Sequence, residues 1–471
     1  MMGILNTAIT GLNAQKVALD VTAQNVANVA TEGYTRQRVN FESLSPNARG
    51  VDVAGNGVKV TDIQRLADEF LIKQTWKTSS TQSYDFIEFQ NYSKLEKVFG
   101  SDGLNLSEGF DKFYAALNEA TIKPESTPLR QQVITEAESL GYQFNMLVDT
   151  VITQKKDLDE QISAAVSQSN TLIQQIAQLN KTISDNVSEN VNVSELEDQR
   201  DQLVLELSEL FNIKSTVLSN GSYQLTLANG QPLVIDDLPS TITVTGSNPT
   251  QLSLTIVNQN IPILDNTPQA SGAPAQNQIG GSVGAMANFQ SQVLEPYETV
   301  INQIARDFGT EINTRLQAGF DLNGNAGIPL FSPGLMDATN ISINPNISVD
   351  SLAFSSNPGA VGDNGNINNI IAVSNLTFAN LPQFQTLNNQ SNADTFASLL
   401  GEVAIKTNQS KISLDTSEIQ FNQAISARNN FSAVNRDEEA AKLIEFTNAY
   451  QANMKVISTV NQLFDEILKI F

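Results

Sequence analysis

The sequence predicts a mainly α protein with inserted β: terminal helices forming a coiled-coil-like inner domain, a long α-helical bundle, and a central β-rich outer domain. Three observations predict it. Apolar residues recur at seven-residue intervals at both ends of the 471-residue chain, helical periodicity returns in the interior, and turn-punctuated alternation is confined to the middle.

The first element is an amphipathic helix. Leu5, Leu12, Leu19 and Val26 stand seven residues apart, with Ala8, Ile9, Ala23 and Ala30 beside them. Its polar face is charge-poor: through Thr31 only Lys16 and Asp20 are charged, and the rest is Asn6, Thr10, Asn13, Gln15, Thr22, Gln24, Asn25 and Asn28. Such a face suits packing among protein neighbours better than free solvent. A long bundle helix is predicted around Leu158–Ile183, where Leu158, Ala165, Leu172 and Leu179 recur by sevens with Ile162, Ile176 and Ile183 alongside. Further helical patterns occupy about 195–211, 283–318 and 395–430.

Residues 213–264 alternate apolar and polar side chains around Asn220-Gly221 and Asn229-Gly230, the signature of hairpins. Residues 265–281 are rich in Pro, Gly, Ala and Gln and read as a linker, and 321–392 is rich in Asn and Gly with short strands such as Asn340–Asn344. The last element is the second terminal helix. Leu443, Tyr450, Ile457, Phe464 and Phe471 form one heptad row and Phe446, Val460 and Ile467 another, interrupted by Asn453. Asn435 is its cap, Asp437, Glu438 and Glu439 suit the positive helix end, and Lys469 suits the negative one.

The resulting organisation is nested. Residues 1–45 and 432–471 form the terminal helical domain, 46–212, 282–320 and 395–431 the helical bundle, and 213–281 and 321–394 the β-rich outer domain. A lone two-helix hairpin covers its apolar rows only in part, so both termini are expected to be largely disordered in the monomer and to fold on assembly, when partner copies complete the burial.

Composition excludes most chemistry. The chain has no Cys and no His, which removes the usual nucleophile, general base and transition-metal ligands. A balance of 27 basic against 50 acidic residues gives a formal charge of −23, which repels phosphate backbones and anionic lipid, so no nucleic-acid partner is expected. The amino terminus lacks the early positive charge and unbroken apolar core of a cleaved signal peptide, and no run approaches membrane-spanning length, so no membrane insertion is expected.

Isolated motifs reduce to simpler readings. Gly280-Gly281-Ser282-Val283-Gly284 has the form of a nucleophile elbow, but there is no His to activate Ser282, and a glycine-rich helix start capped by Ser282 suffices. Asp321-Leu322-Asn323-Gly324-Asn325 opens like a calcium loop and then fails, with Ala326 at the sixth position and Ser332 at the twelfth, leaving a tight Asn-Gly turn. Asp437, Glu438 and Glu439 point in different directions from one helix and read as helix initiation. Gly55-Asn56-Gly57 lacks the third Gly of a dinucleotide loop. No enzyme activity, cofactor or metal is expected.

The run Thr10-Gly11-Leu12-Asn13-Ala14-Gln15 through Asn25-Val26-Ala27-Asn28 to Gly33-Tyr34-Thr35-Arg36-Gln37 resembles the amino-terminal signature of the flagellar rod, hook and junction axial proteins. Val434 to Glu439, with Leu443, Phe446, Tyr450, Ala452-Asn453 and Val456-Ile457, is similar to their carboxy-terminal end. Three internal pieces resemble the hook-associated protein 1 branch, the first hook–filament junction proteins: Asp198-Gln199-Arg200-Asp201-Gln202-Leu203, Asn229-Gly230-Gln231-Pro232-Leu233, and Leu294-Glu295-Pro296-Tyr297 leading to Gly319-Phe320-Asp321-Leu322-Asn323-Gly324. This branch often has Ser-Gly where the chain has Ser432-Ala433.

The resemblance implies an extracellular flagellar subunit, exported unfolded through a type III channel without a cleaved signal peptide and seated on the hook. The implied partners are hook protein, a second junction protein, copies of itself in the junction layer, and an export chaperone on the carboxy-terminal helix. The two terminal rows, Leu5, Leu12, Leu19 and Val26 with Leu443, Phe446, Tyr450, Ile457, Val460, Phe464, Ile467 and Phe471, are the expected assembly interface. A hook or rod axial subunit is the alternative.

Overall fold

The computed structural model describes residues 2–45, 56–101, 103–189, 191–246, 250–257, 259–264, 279–334, 336–377 and 389–470. Phe471 and most of the predicted linker, 265–278, lie outside them. The chain divides into two compact units, one of residues 1–82, 168–241 and 417–471, the other of residues 83–167 and 242–416.

In the first unit, α1 (Met2–Ala27) packs on α10 (Arg436–Ile470). Asn435 caps α10 as predicted: its Oδ1 accepts the backbone N–H of Asp437 at 3.0 Å and of Glu438 at 3.4 Å. The sequence reading placed no strands before residue 213, yet β1 (Gln37–Ser43) and β2 (Val58–Arg65) form an antiparallel hairpin on α1. Its alternation is masked by exposure on both faces and a bulge between Asn40 and Phe41. Gly57 closes it with φ +108°, and a Cβ there would lie 2.0 Å from Thr10 Oγ1. Only glycine lets the hairpin lie that close to α1.

The same unit holds α5 (Ser194–Leu210) and an antiparallel sheet of β3 (Ile213–Val217), β4 (Tyr223–Leu227), β5 (Pro232–Ile235) and β6 (Leu238–Pro239). The predicted turns are present, with Gly221 at φ +83° and Gly230 at φ +90°. Leu225, Leu227, Leu233, Val234, Val204, Leu207 and Phe211 form the buried core.

In the second unit the core is aromatic. Phe308 of α7 (Glu295–Gln317) meets Phe110 of α3 (Leu106–Ala120) at 5.1 Å and Phe331 at 5.5 Å, both edge-to-face. Buried Arg130 holds the following loop by donating to the carbonyls of Val349 and Leu352, 2.9 and 2.8 Å away. A three-stranded sheet, β7 (Thr241–Gly246), β8 (Gln251–Ile256) and β9 (Gln259–Leu264), matches the second predicted alternation. Asn340–Asn344, predicted as a strand, contributes a single bridge between Ile343 and Phe331. Two backbone bonds, Ser332 N to Ser342 O and Asn344 N to Leu330 O at 2.8 Å each, hold it, and side-chain amides add to them: Asn344 Nδ2 donates to Pro329 O at 2.9 Å, and Asn340 Oδ1 accepts from Asp337 N at 3.0 Å. Ser282 is no cap; the helix α6 (Gly281–Phe289) begins after Gly280, which occupies the cap position.

The remaining helices, α2 (Glu69–Phe99), α4 (Thr127–Ser188) and α9 (Asn392–Ser432), each contribute residues to both units, and α8 (Gly365–Ile371) is a short helix of the second. The predicted helix around 158–183 is thus part of a 62-residue one.

Candidate assembly interface

The α1–α10 seam is built from small and polar side chains. Gly11 faces Asn453, so that a Cβ on Gly11 would lie 2.9 Å from Asn453 Oδ1. Asn25 Nδ2 donates to Glu439 Oε2 at 3.0 Å, and Ile4 and Val460 line one cavity. The Gly11–Asn453 and Asn25–Glu439 pairs fix an antiparallel register, and continuing it by sevens sets Ala18 opposite Phe446 and Ile4, which is 56% exposed, opposite Val460. The seam row of α1 is therefore displaced by one residue from the leucine row. Ala8, Ala14, Ala18, Val21 and Thr22 are the other buried positions on α1.

The leucine row lies off the seam: Leu5, Leu12 and Leu19 are half-buried and Val26 is 40% exposed. On α10, Val460 is buried and Phe446, Tyr450 and Ile457 are half-buried, while Leu443, Phe464 and Ile467 are exposed; Phe471 lies outside the described residues. Of the two rows the structure thus buries Val460 alone, half-buries Leu5, Leu12, Leu19, Phe446, Tyr450 and Ile457, and leaves Val26, Leu443, Phe464 and Ile467 exposed. Ile444, Met454, Val456, Leu463 and Leu468 are also exposed and were missed by the heptad reading. Their signal is in the sequence: apolar residues come as neighbours at 443/444, 456/457, 463/464 and 467/468, wider than one partner helix covers.

Beside the seam, two of the singled-out motifs meet. Arg65 donates from Nε to Glu197 at 2.8 Å and from Nη1 to Asp198 at 3.0 Å and Asp201 at 2.6 Å. Thr35 N–H donates to Asp198 Oδ2 at 2.8 Å, and Tyr223 O–H to Asp201 Oδ1 at 2.8 Å. Arg200 stacks over the Tyr223 ring at 3.5 Å. Burial raises the Glu197 and Asp198 carboxyls above their ordinary range. Burial opposes the Arg65 charge, but the surrounding carboxylates, Asp201 first, outweigh it and hold the guanidinium well above its usual value. The arrangement is a structural clamp, with three carboxylates spent on one cation. Next to it a cleft of about 700 Å³ is lined by Tyr34, Leu179, Gln199, Gln202 and Leu203 among others.

Asn25 joins seam and clamp. Its Oδ1 accepts from Tyr34 O–H and Gln37 N–H, each at 2.9 Å, and its Nδ2 also donates to Gln37 O at 2.9 Å. Burial pushes the Tyr34 hydroxyl up to about 12, with Asp198, Glu195 and Glu439 adding to it. Glu438 pairs with Arg36, and Glu439 is fully buried. Two residues of the presumed helix-initiating cluster therefore hold the chain ends together. Asp321 turns its oxygens on its own loop, accepting from Asn323 N–H and Asn325 N–H at 2.8 Å each. Among the described residues no group of three or more His, Cys, Asp or Glu is arranged to hold a metal ion, and no helix is long and apolar enough to cross a membrane.

The family described as the flagellar hook-associated protein FlgK helical domain matches residues 92–331, half of the chain. The chain belongs to the FlgK family. It is a structural subunit of the flagellar hook–filament junction. At the ends of this FlgK-family chain, residues 5–35 match the flagella basal body rod protein family and residues 426–470 the carboxy-terminal family of the rod and hook proteins FlgEFG. Flagellar hook-associated protein 1 of Escherichia coli (strain K12) is 26% identical over 551 residues, covering 100% of both chains. Its counterpart in Bacillus subtilis (strain 168) is 26% identical over 509 residues, covering 98% of this chain and 97% of that one. The solved structure of the flagellar hook junction protein FlgK from Burkholderia pseudomallei shares the fold, with a TM-score of 0.60 at 14% identity, covering 77% of this chain and 100% of that one.

Proposed function

We propose that this junction subunit assembles through the apolar rows that its own helix seam leaves open. One observation carries the reading: α1 and α10 meet through Gly11 against Asn453 and Asn25 against Glu439, while Val26, Leu443, Phe464 and Ile467 stay exposed and Leu5, Leu12 and Leu19 only half-buried, leaving apolar surface for other subunits. Burial of a side chain of this kind contributes about 1.5–3 kcal/mol, and a ring of copies supplies the missing cover. The assembled copies sit on hook protein, contact each other in one layer and present a surface to the second junction protein. Before that, the chain travels unfolded through the type III channel, without a cleaved signal peptide, and an export chaperone holds α10 and shields its apolar residues. The role is mechanical and non-enzymatic: adaptation between a flexible hook and a stiff filament.

The rod and hook matches at both chain ends favour one second reading, a hook or rod axial subunit that polymerises with itself. Mixing purified full-length chain, and a version ending at Phe431, with isolated hooks and with no hooks separates the two. Saturable capping of hook ends by the full-length chain alone is expected. Fibres grown without hooks would identify a self-polymerising axial subunit, and equal capping by the truncated version would remove α10 from the mechanism.

A further inference from the structure

We propose that Asn453 and Gly11 set the register in which the two terminal helices of one chain pair. The inference deepens the assembly reading and rests on it, since the register decides which apolar residues are left facing outward. Asn453 is a polar position between Phe446 and Val460 in the seam row of α10 that begins at Glu439, and a polar residue at such a position selects one alignment among those that apolar neighbours alone tolerate. Gly11 is buried directly against it. A Cβ on Gly11 would stand 2.9 Å from Asn453 Oδ1, 3.1 Å from its Nδ2 and 3.2 Å from its Cγ, so the amide fills the space that the missing side chain leaves. The amide is also anchored on its own helix, with Nδ2 donating to Ala449 O at 3.0 Å.

Slipped alignments fail at the same place. Moving α10 by one heptad in one direction sets Asn453 against Ala18, and in the other against Ile4, each of which carries the Cβ that the native site excludes. Either slip also removes Asn25 from Glu439, whose carboxylate is fully buried and bonded to that amide at 3.0 Å. The remaining row members discriminate poorly: Phe446, Val460 and Ile467 are apolar and accept an apolar neighbour in any alignment. Gly11 and Asn453 lie in the two terminal motifs that resemble the axial proteins, and their contact gives those motifs a joint task.

The absence of cysteine makes any introduced thiol unique. Ile4→Cys/Val460→Cys reports the native register, and Ile4→Cys/Ile467→Cys a register slipped by one heptad. Each pair is treated with a short bismaleimide on chains seated at isolated hook ends, and the intramolecular product is read by its gel mobility. The native background is expected to give the first product and not the second. Asn453→Leu, which keeps the branching at Cγ, removes the amide's polarity and favours the helix, is expected to raise the slipped product relative to the native one by about tenfold. An unchanged ratio in chains that still seat on hooks overturns the register assignment and leaves the assembly reading standing. Chains of native sequence that never seat on hooks overturn both. A second variant, Gly11→Ala/Asn453→Ala, guards against a local effect of leucine. Full retention of the native register by this variant would show that Asn25 and Glu439 suffice, and the proposal falls.

Discussion

Arg65 illustrates how one residue can tie distant motifs together. It ends β2 and gathers three carboxylates from α5, one of them, Asp201, almost fully buried. Arg65→Met leaves those carboxylates without their cation, and the loss expected in urea unfolding at neutral pH is roughly 3–5 kcal/mol. Because burial already raises Glu197 and Asp198, the folded chain holds their protons more tightly than the unfolded chain. Their contribution to stability is greatest below the ordinary carboxylate range and is lost as pH rises through their raised values. The Arg65→Met defect should therefore shrink as the pH is lowered from 7 toward 5. A defect that grows on acidification would contradict this. The partners of Asp198 and Asp201 were not legible in the sequence, because the motif 198–203 shows its charges but not the arginine more than a hundred residues earlier that meets them. Glu439 is a similar case: three acids at a helix start fit the macrodipole, and only the fold reveals that one of them is buried against Asn25.

At the scale of elements, the helices were readable because heptad and 3.6-residue periodicities are strong over long segments, and the start of α10 was readable from Asn435. The hairpin β1–β2 was not. Its residues are exposed or half-exposed on both faces, and what holds it is a glycine's close approach to Thr10, which leaves no pattern in hydropathy. The leucine row of α1 stands one residue away from the row that meets α10, and the latter is less conspicuous in the sequence because Gly11, Ala18 and Asn25 carry little apolar signal. Since α10 buries so little of its surface, its amides should exchange quickly in the free chain and slow down on hook ends. Mass-resolved hydrogen exchange over residues 2–27 and 436–470 checks this. Strong protection of both segments in the free chain would mean that order precedes assembly.

For the whole molecule, a formal charge of −23 sets like-charged copies against one another. Added salt screens that repulsion, and the contacts proposed for assembly are apolar. Capping of hook ends should therefore strengthen between low ionic strength and about 0.3 M sodium chloride, where the screening length falls well below 10 Å. Weakening over that range, measured by sedimentation, would point instead to salt bridges as the main contacts. The overall class of a mainly α chain with inserted β was legible because each region keeps one periodicity. The Asn- and Gly-rich stretch after residue 321 was not, since its backbone pairing is limited to isolated bridges and side-chain amides supplement it.

The amide of Asn25 binds a backbone 12 residues away and a carboxylate 414 residues away. That second partner exists only once residue 439 has been made, and Asn453 opposite Gly11 only somewhat later. A copy truncated by a nonsense codon or by proteolysis keeps its amino-terminal helix and the neighbouring hairpin but has nothing with which to close the seam. Possession of α10 thus becomes a condition of fit, and a growing structure that admits only closed seams would turn away copies lacking it without any separate inspection step.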